Sequence, residues 1–380
     1  MSSHEIRDRH LDRRGFLRRA AGALGGAAFI GAASLSCKKE PTATTATGTP
    51  AAKGGPPAKG AQPAPRDLVI VRNAGPAELV AKAFDSLGGL GRFVKAGQKV
   101  CLKPNAAWSR EAGSGACTNP EVVDALIDLL LGAGVVAKDI TVFEHTRDAF
   151  ASAISWNGLE DVCTKRSVML VDGTSQANYE PVDPVEGTKY LKPFNEREEV
   201  ALDLLDADVV INMPVLKSHS ATELSMGLKN LMGAIYNPRR YHGGKDADAA
   251  GGEELNERIA DLAMLLKDRI TLTLLDATYV LTDSGPKGIE GMPGDEKRTV
   301  VLGTDLVAVD SAGAQIFGMA PDQVGHVKAA AARGIGEMDL DKLRAGDRLV
   351  EVDLAGAGAA PVAGGSPEEP GKSANPETAE

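Results

Sequence analysis

Cysteine is scarce in this sequence, which has four cysteines among 380 residues. No two of them form a Cys-x-x-Cys pair, the spacing on which structural zinc sites and ferredoxin-type clusters depend. An iron–sulfur cluster held by this chain alone is therefore not supported. We expect Cys101, Cys117 and Cys163 to be buried thiols, with one disulfide as the alternative.

Two nucleotide-binding motifs are also missing. The first candidate strand is not followed by Gly-x-Gly-x-x-Gly, and no complete Walker motif, Gly-x-x-x-x-Gly-Lys-Ser/Thr, occurs in the chain. Excess positive charge is lacking as well, because the formal net charge is −10. An acidic protein repels phosphate backbones, which argues against nucleic-acid partners but is compatible with a local cationic pocket.

Long hydrophobic runs are absent near the N-terminus, where the apolar stretch is shorter than the ~20 residues that span a bilayer. This stretch follows a charged segment and ends near Cys37. The order is typical of an export signal, which we assign to residues 1–36, with a transmembrane anchor as the alternative. Arg13 and Arg14 before Gly15 resemble the twin-arginine signal, whose pathway carries folded proteins across the bacterial inner membrane.

Cys37 stands where the lipid-bearing cysteine of a bacterial lipoprotein would stand. The match is incomplete, because Ser34 occupies the position where an aliphatic residue is usual and Leu35 comes one position late. Lipidation and simple cleavage are both open. We expect a periplasmic protein that reaches the membrane only through a lipid at Cys37 or an uncleaved signal.

The composition changes on both sides of a central region. Residues 37–66 are rich in Pro, Gly and Thr, which indicates a flexible linker, and residues 353–380 are similarly biased, which indicates a disordered tail. Residues 67–352 have ordinary globular composition and are predicted to form one main domain.

Short β-branched runs alternate with helical patterns along this domain, as in an α/β fold. Seven candidate strands have nearly continuous apolar character: residues 67–72, 98–103, 139–145, 167–172, 208–214, 270–276 and 298–304. Five segments have helical patterns: residues 76–88, 119–134, 222–235, 253–268 and 305–318. Such strands favour a mostly parallel sheet with helices on both faces.

Ionisable and amide side chains follow three of the predicted strands. Lys103 and Asn105 end one strand, Lys217 and His219 follow another, and Asp276 ends a third. Ligands of doubly wound sheets bind outside the carboxyl ends of the strands, so we expect these groups to share one cleft. The helix that begins after Thr118 would add free backbone amides, which favour an anion.

The segment from Asn212 to His242 concentrates further candidates. In an extended chain Lys217 and His219 point the same way. A helix over residues 222–235 would place Lys229 and Asn230 among large apolar neighbours. The solvent-exposed face of a helix would normally carry more charge than this segment does. The donors that complete this segment are Arg239, Arg240 and His242. A surface helix with a basic loop is the alternative, and the histidine spacing does not match a zinc helix.

Asp276 and Asp310 are the candidate anionic groups. Asp310 lies in an apolar helical pattern, where an unpaired carboxylate would be costly to bury. Its expected partners are a lysine, neighbouring backbone amides, or a divalent metal that Asp276 also binds. The Gly- and Pro-rich residues 282–295 are either an exposed connector or a loop that closes over a ligand.

The chain resembles the DUF362 family, named as a domain of unknown function. The matching segments are "KPN" at 103–105, "CTNPEVVDAL" at 117–126, "NMPVLKSHSATELSMGLKN" at 212–230, "RRYH" at 239–242, and "LDATYVLTDSGPKGIEGMPG" through "GTDLVAVD" at 275–310. The resemblance implies an α/β domain with one polar cleft. The polar positions that the resemblance places in this cleft are Lys103, Asn105, Lys217, His219, Lys229, Asn230, His242, Asp276 and Asp310. Relatives with iron–sulfur clusters carry a ferredoxin module, which this sequence lacks.

Two kinds of function fit these residues. The first is an exported enzyme that acts on a small anion held by Lys217, Lys229 and Arg239, with His219, His242 or a neutral lysine as the acid–base group. The second is a periplasmic ligand- or cofactor-binding protein, or a redox accessory protein, without catalysis. Neither the cofactor nor the substrate follows from the sequence.

Overall fold

The computed structural model describes residues 66–188, 197–242 and 252–355. The strands are β1 (Leu68–Arg72), β2 (Val100–Pro104), β3 (Ile140–Glu144), β4 (Met169–Asp172), β5 (Tyr179–Val182), β6 (Glu198–Ala201), β7 (Val209–Met213), β8 (Val215–His219), β9 (Glu223–Ser225), β10 (Leu272–Leu281), β11 (Asp295–Gly303) and β12 (Leu349–Asp353). The helices are α1 (Pro76–Ser86), α2 (Pro120–Gly132), α3 (Phe150–Trp156), α4 (Leu159–Arg166), α5 (Leu202–Asp206), α6 (Gly227–Asn230), α7 (Gly252–Leu266), α8 (Leu306–Phe317), α9 (Gly325–Ala332) and α10 (Leu340–Ala345).

The central sheet has the strand order β12-β1-β11-β10-β7-β2-β3-β4, and β8 and β9 extend it beside β10. Along the main path β11 is antiparallel to both of its neighbours, while the other pairs are parallel. A small antiparallel pair, β5–β6, lies apart from this sheet. The prediction of a mostly parallel sheet is confirmed.

Hydrophobic side chains cover both faces of the sheet. Successive residues of β1 alternate between two cores: Leu68 and Ile70 pack into one, Val69 and Val71 into the other. Helices α1, α2 and α4 contribute to the second core, and α7 to α10 contribute to the first. Burial on both faces explains why the strands are continuously apolar, and it confirms the prediction of helices on both faces.

All seven predicted strands and four of the five predicted helices are present, with boundaries shifted by a few residues. The helix start at Asn119 has the expected cap, because the side chain accepts a hydrogen bond from the Glu121 amide at 3.0 Å. Cys101, Cys117 and Cys163 are free and buried, as the sequence predicted.

The predicted helix over residues 222–235 is wrong. The chain first forms β9, turns into the single helical turn α6, and continues as a 3₁₀ segment, Leu231–Ala234. The cause is a long-range contact, because the Asp310 carboxylate accepts hydrogen bonds from the amides of Gly227 and Leu228 at 2.7 and 2.9 Å and so fixes where the turn begins.

The expectation that Asp276 ends its strand is also wrong. β10 continues to Leu281, because β7 pairs with its first residues and β8 pairs with its second half. Lys217 and His219 consequently lie on a strand, β8, and not in a loop. They are still two residues apart on extended backbone, as the argument from spacing required.

The predicted signal at residues 1–36, Cys37, the linker up to residue 65 and the tail from residue 356 lie outside the described residues. Among the helices that the structure describes, none is long and apolar enough to cross a membrane.

Candidate functional site

A pocket of about 510 Å³ opens at the carboxyl ends of β2 and β3, beside β8 and α6. Its polar lining residues are Asn105, Glu144, His145, Arg147, Lys217, His219, Ser220, Ser225, Lys229, Asn230, Arg239 and His242. The remaining lining residues are Ala107, Trp108, Ala221, Met232, Gly233, Pro238 and Pro286. Seven of the residues predicted from the sequence therefore meet in one cavity: Asn105, Lys217, His219, Lys229, Asn230, Arg239 and His242.

Lys217 is held in place by oxygen atoms. Its ammonium donates to Asn105 Oδ1 at 3.0 Å and to the carbonyl oxygen of Ala116. The side chain is 1% exposed. Burial lowers its pKa to about 8, because the charged form loses its hydration.

Lys229 is buried with much weaker support. Its Nζ contacts the thioether sulfur of Met232 at 3.6 Å. Burial lowers its pKa to about 7, and the charges of Lys217 and Arg147 act in the same direction. The lysine that the sequence singled out as unusual therefore loses its proton at a much lower pH than an exposed lysine does.

Three asparagine side chains form a chain of amides beneath the two lysines. Asn105 Nδ2 donates to Asn230 Oδ1 at 3.0 Å, and Asn230 Nδ2 donates to Asn212 Oδ1 at 2.8 Å. Because the Lys217 ammonium can only donate, it fixes which atom of Asn105 is the oxygen, and this orientation passes along the chain. Asn212, predicted to bind substrate, therefore lies behind the pocket wall and supports Asn230.

Lys103 and Glu144 form a buried ion pair next to the pocket. The Lys103 ammonium is 3.1 Å from both carboxylate oxygens of Glu144. Glu144 also accepts from the amides of Ala106 and His145. Burial raises the pKa of Glu144, and Lys103 acts in the opposite direction. Lys103 thus neutralises the one carboxylate among the lining residues instead of facing a ligand itself.

The two predicted catalytic histidines are neighbours. The rings of His219 and His242 stack with centroids 6.1 Å apart and an interplanar angle of 19°. Nδ1 of His219 accepts the Ala221 amide at 3.1 Å, so the proton of the neutral ring is on Nε2. Burial, assisted by the charge of Lys229, lowers the pKa of His219 to about 2.

His242 is more open to solvent than His219. Burial of part of its ring, together with the charges of Lys229 and Arg147, holds its pKa below the usual range. Both imidazoles are therefore neutral at pH 7 in the ligand-free pocket.

Arg147 and Arg239 bring two more positive charges to the pocket, and both are exposed to solvent. Partial burial lowers the pKa of Arg147, and the nearby charge of Arg239 lowers it further. The loop of residues 282–294 places Pro286 in the wall of the pocket. Gly285 packs against the backbone of Ser218 so closely that a Cβ would not fit.

Besides Lys103 and Asn212, four predicted binding and metal residues lie away from the lining: Thr118, Arg240, Asp276 and Asp310. The Thr118 hydroxyl accepts a hydrogen bond from the backbone amide of Asn105 at 2.8 Å and donates one to the backbone carbonyl of Met213 at 2.7 Å. The backbone amides at the start of α2, which were expected to bind an anionic ligand, instead meet Asp276. Its carboxylate accepts a hydrogen bond from the backbone amide of Asn119 at 2.7 Å. Arg240 lies near Glu198, whose pKa is raised by burial and lowered in part by the charge of Arg240.

Asp276 and Asp310 are fully buried and each is satisfied by protein donors. Asp276 also accepts from the amide and hydroxyl of Thr278, and Asp310 binds the two amides at the start of α6. Of the three partners expected for Asp310, the backbone amides are the ones present. Within the described ranges, no group of three or more His, Cys, Asp or Glu could hold a metal ion.

Five polar lining residues were missed: Ser220, Ser225 and the three ionisable residues Glu144, His145 and Arg147. Glu144 is the last residue of β3, His145 follows it directly, and Arg147 comes two residues after His145. The rule that ligands bind at carboxyl ends of parallel strands, applied to this strand as well, would have found them.

Comparison with known proteins places the chain in a family. The model of DUF362, "Domain of unknown function (DUF362)", matches residues 100–315. The "Thylakoid-associated protein sll1697" of Synechocystis sp. (strain ATCC 27184 / PCC 6803 / Kazusa) is 30% identical over 263 residues, which are 66% of this chain and 73% of that protein.

A solved structure, the lactate racemase apoprotein from Thermoanaerobacterium thermosaccharolyticum, aligns with a TM-score of 0.41 and 14% identity. The alignment covers 65% of this chain and 56% of that one, a level of similarity that carries no functional argument. The family match and the 30% identical relative are sufficient by themselves: the chain belongs to the DUF362 family, a domain of unknown function.

Proposed function

We propose that the pocket binds a small anion, a carboxylate or a phosphate, and that the protein is an enzyme acting on it. The observation that carries this proposal is the charge of the lining. Four side chains of Lys or Arg, namely Arg147, Lys217, Lys229 and Arg239, accompany one carboxylate, Glu144, that already pairs with Lys103. A pocket with this imbalance attracts anions even though the whole chain is acidic.

The histidines supply the acid–base chemistry in this proposal. With its proton on Nε2, His219 is a hydrogen-bond donor to a developing negative charge. His242, stacked on it, is the group that exchanges a proton with the substrate. A bound anion would offset the lysine charges that lower both imidazole pKa values, and so bring His242 towards the range in which it titrates.

A thermal-shift screen of small carboxylates and phosphates tests the binding step. A ligand at a hundred times its Kd should stabilise the protein by about 2.7 kcal/mol. Affinity should fall as the pH rises above about 7, because Lys229 and then Lys217 lose their charge. An affinity that does not change between pH 6 and pH 9 would contradict a role for these lysines.

Any ligand found in this way can be incubated with the protein and its products sought by mass spectrometry. The double variant His219→Gln/His242→Gln should keep ligand binding and lose turnover. Binding without turnover in the wild type would instead favour a ligand- or cofactor-binding protein. Turnover that survives the double substitution would show that the histidines are not the acid–base groups.

We also propose that the protein is exported by the twin-arginine route, on the strength of the paired Arg13 and Arg14. The expected location is the periplasm, with attachment to the membrane through Cys37 as an open alternative. Replacing both arginines by lysine should leave the precursor in the cytoplasm, and unchanged export would refute the proposal.

A further inference from the structure

Three lysines are buried in or beside the pocket, and they differ in what their ammonium groups contact. Lys103 faces the carboxylate of Glu144, and Lys217 faces two oxygens. Lys229 has a thioether sulfur as its hydrogen-bond partner among the described residues. Because an ammonium buried without an oxygen partner is costly, Lys229 is the one of the three best suited to exist as a free amine.

The surroundings of Lys229 oppose its protonation from several elements. Lys217 and His219 face it from β8, Arg147 from the segment after β3, His242 from the segment after α6, and His326 from α9. None of these groups is an acid. With a pKa of about 7, roughly half of Lys229 is neutral at pH 7, compared with about one in 2,500 for an ordinary exposed lysine.

We propose that Lys229 is a nucleophile that forms an imine with the carbonyl group of a small 2-oxo carboxylate bound in the pocket. The assignment rests on the proposed anion site and narrows its ligand to an anion that also carries a ketone or aldehyde. A desolvated lysine next to another cationic group is the arrangement that activates an amine for this chemistry. Lys217, Arg147 and Arg239 are the charges that remain for the carboxylate.

The step balances with groups that line the pocket. The nitrogen lone pair of Lys229 attacks the carbonyl carbon, and the carbonyl π electrons become an alkoxide. The nitrogen gives one proton to His242, which passes it to the alkoxide, and this gives a neutral carbinolamine. A second proton, taken from solvent, lets that oxygen leave as water while the nitrogen lone pair forms the C=N bond of a protonated imine. No oxidant or reductant is consumed.

Reductive trapping on the intact protein tests the assignment. Pyruvate with sodium cyanoborohydride at pH 7 should attach one group per chain, because the hydride reduces the imine to a stable secondary amine. Peptide mapping should place it on Lys229. Labelling should be at least about tenfold slower in Lys229→Met, and unchanged in Lys328→Met, which removes an exposed lysine of α9.

The pH profile provides a second readout that does not depend on the Lys229 variant folding. Labelling of the wild type should rise with pH through about 7 and level off, whereas exposed lysines would label only as the pH approaches 10. In Lys217→Met the rise should move to higher pH, because a charge that suppresses protonation of Lys229 is gone. Labelling spread over exposed lysines, or a rise only near pH 10, would overturn the assignment.

Propionate separates failure of this inference from failure of the proposed function, since it has the carboxylate of pyruvate but no ketone. Protection by propionate against specific labelling of Lys229 supports both. Binding of propionate and pyruvate without any trapped adduct overturns the imine and leaves the anion site standing. If neither propionate nor pyruvate binds and no adduct forms, the imine and the anion site are both overturned for small carboxylates.

Discussion

At the scale of single residues, the unusual feature is the burial of amino groups without carboxylates. Lys217 is 1% exposed and Lys229 is 8% exposed. Desolvation of an ion costs several kcal/mol, roughly, unless its partner is well placed. We therefore expect these lysines to decrease the stability of the folded, ligand-free protein, in agreement with the proposal that they bind an anion.

Lys229→Met keeps the apolar stem and removes the charge. We expect the free energy of unfolding of the ligand-free protein to stay the same or rise, by an amount on the order of 4 kcal/mol at most. Anion binding should weaken, because one of the four Lys and Arg side chains that line the pocket is gone. Thermal melts with and without inorganic phosphate or pyruvate measure both effects.

The pH dependence of this difference has a definite sign. The pKa of Lys229 is lower in the folded protein than in the unfolded chain. The free-energy cost of burying its charge is therefore fully present below about pH 7 and disappears as the pH rises towards about 10.5. The advantage of the Met variant should therefore be greatest below pH 7 and shrink above it. A loss of about 3–5 kcal/mol on substitution would instead indicate a structural ion pair.

At the scale of elements, the short turn α6 depends on a side chain 83 residues away in sequence. Four residues make too little helix to be stable alone. The Asp310 carboxylate accepts the first two amides of the turn, and burial raises its pKa to about 7. By fixing the start of α6, it positions Lys229 and Asn230 at the pocket.

Asp310→Asn should destabilise the protein by about 1–3 kcal/mol, because the NH₂ group of asparagine faces one of the two amides and leaves it unsatisfied. It should also weaken anion binding. Asp305→Asn is the matched control, since Asp305 caps the same helix, α8, by accepting the Val307 and Ala308 amides.

We expect the control to reduce stability without changing affinity for the anion, as measured by calorimetry. Equal losses of affinity in both variants would show that α6 is not specifically positioned by Asp310. Unchanged affinity in Asp310→Asn would show the same.

At the scale of the whole molecule, we predict that residues 67–352 form one domain with protease-sensitive ends. The two hydrophobic cores share the strands of one sheet, so neither core is complete without the other. Limited proteolysis followed by mass spectrometry should remove the two ends and leave a single core. A stable cut near residue 180 or 250 into two independently folding units would contradict a single domain.

Much of the fold was predictable because buried parallel strands have a simple sequence pattern. Apolar runs marked β1, β2, β3, β4, β7, β10 and β11, and capping signals marked α2. The edge strand β12 and the short strands β5, β6, β8 and β9 were missed, because pairing partners rather than apolar runs define them. The candidate site was partly predictable, since Asn105, Lys217, His219 and Lys229 follow strand ends or stand out among apolar neighbours.

The sequence by itself determined the fold class, the family and seven of the twelve polar residues that line the pocket, because each leaves a local pattern of residue types. Tertiary structure alone decided the partners. It gave Lys103 the carboxylate of Glu144, gave Asp310 the amides of α6, and left Lys229 with a sulfur atom. Each of these outcomes depends on segments far apart in the chain being brought within hydrogen-bonding distance, and no local pattern encodes which buried charge is paired and which is left unpaired.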